Sequence, residues 1–86
     1  MFTRVFEPVT KRMYQVEYAP DTTEQMLEIE SLLKGDREER PTLAYASQVC
    51  STTRTRARVT LMGSYVGHIF EDGSYDGAVS GAFGRQ

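Results

Sequence analysis

Three arginines, Arg54, Arg56 and Arg58, recur at every second position, with Thr55, Ala57, Val59 and Leu61 filling the places between and after them. Successive side chains of a strand point to opposite faces, so this alternation puts the guanidinium groups on one face and the small and branched residues on the other. At strand rise the arginines stand about 7 Å apart, close to the spacing of successive phosphates on one nucleic-acid strand. Tyr65 and Phe70, in the segment that follows, offer rings on which bases stack. Arginine beside tyrosine is equally the composition of protein-interface hot spots. A second charged group, Glu24, Glu28 and Glu30, could mimic nucleic-acid charge toward a basic partner.

Residues for bond-making chemistry are few. The chain has one cysteine, Cys50, and one histidine, His68, which could in principle form a thiolate–imidazole pair. A cysteine beside Val49 reads instead as a small buried hydrophobe, and no residue presents itself to orient the base. The expectation is a protein that is not an enzyme. Asp72, Ser74, Asp76 and Gly77 match the opening of a calcium loop, but Phe83 stands where a bidentate Glu is needed. A hairpin turn accounts for the same residues, and no metal is assigned. The glycines at 73, 77 and 81 lack the spacing of a phosphate cradle, so no cofactor is expected.

Length and composition bound the rest. Eighty-six residues make one domain. With 40% hydrophobic and 26% charged residues, the chain is of ordinary globular type. A single cysteine asks for no oxidising compartment, and no apolar run reaches the roughly 20 residues of a membrane span. A cytoplasmic protein without membrane attachment is the expectation. The net charge of −2 conceals a separation. Eight acids lie between Glu17 and Glu39, whereas Arg40 to Phe70 holds four arginines and no acid. A pI near 5.3 argues against a nucleic-acid module, which is usually basic.

The elements that must position these groups follow from periodicity. Phe2 to Glu7 and Lys11 to Tyr18 read as strands joined through Pro8 into a hairpin. A helix over 22–34 is announced by capping-box spacing, either Asp21 with Glu24 or Thr22 with Gln25. Met26, Ile29 and Leu33, flanked by Leu32, form its apolar stripe, and Gly35 its terminator. Residues 36–41 read as a charged connector. Residues 42–50 suit a strand by alternation, although Leu43, Ala46 and Cys50 would also line one side of a short helix; strand is the reading adopted. The arginine strand, 54–62, turns at Gly63-Ser64 into Tyr65 to Phe70. Asp72-Gly73 makes the next turn, 75–79 adds a last strand, and 79–86 is read as a frayed tail. Gly-Ser-Tyr-Val-Gly at 63–67 and Gly-Ser-Tyr-Asp-Gly at 73–77 read as two similar turns.

The predicted fold class is α+β: an antiparallel sheet in the order β-β-α-β-β-β with one helix packed on one face. The predicted function is that of a small protein-binding module, an adaptor, regulator or inhibitor that occludes a partner's surface, as phage- and plasmid-borne inhibitors do by analogy. The alternative is a single-stranded nucleic-acid-binding domain using the arginine-bearing face. An edge strand could also pair with a second copy to give a homodimer.

Overall fold

The structure, a computed structural model, describes residues 2–35 and 42–77. Among the described residues five strands form one antiparallel sheet, β1 (Phe2–Glu7), β2 (Arg12–Ala19), β3 (Arg56–Leu61), β4 (Ser64–Ile69) and β5 (Tyr75–Gly77), in the spatial order β1-β2-β3-β4-β5. Two helices, α1 (Thr23–Gly35) and α2 (Leu43–Thr53), are inserted between β2 and β3. The α+β class and the antiparallel sheet hold. The expected order and single helix are corrected to β-β-α-α-β-β-β with a helical pair.

The correction lies in residues 42–50. Their alternation suggests a strand, yet the buried set is Leu43, Ala46, Val49, Cys50 and Thr53, a helical spacing. Thr42 caps the helix, its hydroxyl accepting from the Tyr45 amide at 3.1 Å. At the other end Arg54 adopts the left-handed conformation (φ 57°), and the amides of Arg54 and Thr55 both donate to the Cys50 carbonyl. Ser51 to Thr53 are the last turn of α2. Arg54 is therefore a helix cap and not a strand residue, and β3 begins at Arg56.

At the start of α1, the Thr22–Gln25 capping box is the one that forms. The Gln25 amide donates to Thr22 Oγ1 at 3.1 Å, and Gln25 Oε1 accepts from the amides of Thr22 and Asp21. Gln25 Nε2 then donates to the carbonyls of Thr53 and Arg54, tying the start of α1 to the end of α2. Both orphan ends are satisfied by one side chain.

Alternation in the strands decides the layers. Val5, Tyr14, Val16, Tyr18, Ala57, Val59 and Ile69 point to one face and are buried with Ile29 of α1 and Leu43, Ala46, Val49 and Cys50 of α2. Of the expected α1 stripe, Ile29 is fully buried, Leu32 and Leu33 are half-buried, and Met26 is exposed. Glu7 also points inward and is buried, its Oε2 accepting from the Val9 amide in the β1–β2 loop. The opposite face of the sheet carries no layer among the described residues.

The β3–β4 turn is centred on Met62-Gly63, one residue before the expected Gly63-Ser64, which places Met62 in the turn and Ser64 in β4. Met62 and Gly63, between the paired Leu61 and Ser64, both have positive φ, the pattern of a tight two-residue hairpin. At the next turn Gly73 has φ 88°, and Asp72 Oδ1 accepts from the Ser74 amide. The expected last strand is observed at Tyr75–Gly77; its extension to 79, the connector 36–41 and the tail 79–86 lie outside the described residues.

Candidate functional site

The open face is built by cross-strand pairing. Glu17 stands opposite Arg58, and Arg58 opposite His68, which in turn faces Asp76. Residues directly opposite in antiparallel strands share a face, so these four form one polar row across β2 to β5. Ala19 stands opposite Arg56, one step along. The rings complete the surface: Tyr65 and His68 have centroids 6.3 Å apart, His68 and Phe70 5.7 Å apart, and the Arg56 guanidinium lies 5.7 Å from the Phe70 centroid.

Tyr65 reaches this face only because of a bulge. Strict alternation would place Tyr65 with Gly67 and Ile69 on the inner side, away from Phe70. The register shifts between Val59 and Thr60, so that Val59 pairs with Gly67 and Thr60 with Tyr65, leaving Val66 as the extra residue. Val66 packs against the core and Tyr65 turns outward, 58% exposed.

Two of the three arginines are matched within the chain. Arg56 Nε lies 3.1 Å from Glu71 Oε2, and Arg58 Nη2 lies 3.5 Å from Glu17 Oε1. All four side chains remain more than half exposed, so solvent and salt screen these pairs and they add little to stability. The Glu71 carboxyl is held below its ordinary range, first by its own backbone amide and then by the Arg56 side chain. Arg54, at the α2 cap, stands outside the row.

Glu24, Glu28 and Glu30 are exposed on α1. Since α1 covers the inner face, the structure does not bring them together with Arg56, Arg58, Tyr65 and Phe70. The sequence reading missed His68 as a member of the site. Its place is legible only from the β3–β4 pairing, which sets it opposite Arg58.

Cys50 and His68 do not meet. Cys50 sits in α2 within the core, where burial pushes its thiol up to about 12, while His68 lies on the outer face of the sheet. Burial likewise raises the Tyr18 phenol, with smaller effects from Cys50 and Tyr45. Among the described residues no three His, Cys, Asp or Glu side chains converge on a position for a metal ion. No described helix is long and apolar enough to cross a membrane.

The fold and face together define a two-layer α+β arrangement with one side of its sheet open among the described residues. No known protein family, curated protein or solved structure matches the chain.

Proposed function

We propose that the chain is a small non-catalytic protein-binding module of the cytoplasm, an adaptor, regulator or inhibitor that applies its open sheet face to another protein. The observation that supports this most directly is the charge balance of that face. Arg56 and Arg58 already have Glu71 and Glu17 as partners. A polyphosphate would have to approach those carboxylates, whereas a protein surface can pair with both signs. Between the charges stand Tyr65, His68 and Phe70, aromatic groups suited to the centre of an interface.

Single-stranded nucleic acid is the second reading, favoured by the continuous run of rings from Tyr65 to Phe70 beside Arg56. The acids of α1 form a separate surface in this scheme, available to a basic partner.

Capture from extracts of the native host, with and without nuclease, separates the two. The expected result is a protein retained equally in both, with Tyr65→Ala and Arg58→Glu each lowering its recovery about tenfold, in line with interface hot spots. Gln48→Glu, on the exposed side of α2, serves as the control and leaves recovery unchanged. Loss of the captured protein on nuclease treatment, or full recovery by both face variants, would overturn the reading.

A further inference from the structure

Seven large apolar side chains are exposed among the described residues, and they are not scattered. Tyr65 belongs to the open face. Val9, Met13 and Met62 lie at one end of the sheet. Val9 is in the β1–β2 loop, and Met62 tips the β3–β4 hairpin. Met13 precedes Gln15, which pairs with Thr60, so Met13 and Met62 occupy the same end of adjacent strands. Met26 and Leu27 lie on α1; Phe2, opposite Glu17 at the edge of the sheet, only borders a groove that Glu30 and Leu33 also line.

The two groups carry opposite charge. Around the hairpin tips, residues 8–16 include Lys11 and Arg12, both exposed, and no acid; residues 59–65 carry no charge at all. Glu7, the neighbouring carboxylate, is buried. On α1, Leu27 is 57% exposed between Glu24 and Glu30, three residues to either side, with Glu28 next to it. Lys34 is the single cation of that helix. Each patch is thus an apolar centre with a charged border, and the borders are complementary.

Met62 adds a local observation. It is 94% exposed and held at φ 52°, a conformation that suits Asn or Gly and disfavours a bulky side chain. Neither burial within this chain nor turn geometry accounts for methionine there. A strained, protruding apolar residue is what an anchor inserted into another surface looks like.

We propose that the chain associates with copies of itself head to tail, the hairpin-tip patch of one protomer seated on the α1 face of the next, with Met62 placed against Leu27. The contact is heterologous: each protomer offers one patch and receives the other, so it builds open chains unless the rotation closes a ring. Arg56, Arg58 and His68 stay outside it, while Tyr65, paired with Thr60, borders the tip patch.

The test is sedimentation or light scattering across a dilution series at low ionic strength. The wild-type mass is expected to rise above 9.7 kDa with concentration, and to fall back in roughly 1 M salt, where charges are screened beyond about 3 Å. Met62→Glu and Leu27→Glu each remove one patch and run as monomers. Mixed in equal amounts they form a complex of about 19 kDa, two chains and no more, because only one intact pair of patches remains. Met62→Asn, which fits the turn, behaves as Met62→Glu and separates loss of association from misfolding. A wild type that stays at 9.7 kDa throughout, a dimer that survives both Glu variants as pairing through the β1 edge would, or a mixture that stays monomeric overturns the proposal.

Discussion

Gly67→Ala tests the packing at the β4–β5 edge. Gly67 stands opposite Gly77 across these strands, and Tyr75 lies over the pair, its hydroxyl donating to the Val66 carbonyl at 3.1 Å. A Cβ on Gly67 would overlap the Tyr75 phenol. The backbone of β4 is held on both sides by pairing, so the ring is the part that moves. Its displacement forfeits one hydrogen bond, worth about 1 kcal/mol, and part of the ring's burial, roughly another 1–2 kcal/mol. A loss of about 2–3 kcal/mol lowers the melting temperature of a domain this size by roughly 10–20 °C. The assay is a double-mutant cycle by thermal or urea unfolding, with Gly67→Ala made in wild type and in Tyr75→Ala. If the cost comes from the ring, it falls below about 1 kcal/mol in the second background, giving a coupling of roughly 2 kcal/mol. Equal costs in both backgrounds would refute the steric account and point to the backbone of β4 itself.

Arg54→Gly should raise stability by about 0.5–1 kcal/mol, since the α2 cap is left-handed and glycine adopts that conformation without strain; an unchanged or lower denaturation midpoint contradicts it. Cys50, with its thiol pushed up to about 12 by burial, should resist thiol reagents near roughly pH 8 in the native protein and react once urea unfolds it. Rapid native labelling would show the core open at α2. The Glu71 carboxyl titrates below its ordinary 4.5, so what it adds to stability is present above that value and fades as pH falls through the folded value. Arg56→Gln should move the carboxyl midpoint, followed by NMR, upward but short of 4.5, because the Glu71 amide bond remains. A midpoint that ignores Arg56 removes the ion pair from the account.

Features that depend on neighbours along the chain were legible in the sequence. The alternation read over 11–18 and 54–62, the capping-box spacing before α1 (with Thr22–Gln25 as one of two choices) and the turn glycines at 63 and 73 each act within a few residues, through side-chain direction, a short hydrogen bond or a positive φ. That reach was enough for the class, the hairpins, α1 and the inner faces of β2 and β3. Residues 42–53 show where it stops. Leu43, Tyr45, Ser47 and Val49 alternate as a strand would, and only docking Ala46 and Cys50 onto the sheet core selects the helix. The two Gly-Ser-Tyr-x-Gly segments read as similar turns, whereas pairing brings their last glycines together beneath Tyr75.

Local patterning alone establishes strands with a dry and a wet side, an amphipathic acidic helix, and Arg56 and Arg58 on the wet side. Tertiary structure decided what the wet side amounts to. Glu17 meets Arg58 because β2 and β3 pair, and Tyr65 joins His68 because one residue bulges from β4. Cross-strand neighbours are set by register, and register is a property of the assembled sheet, fixed by the burial of the opposite face.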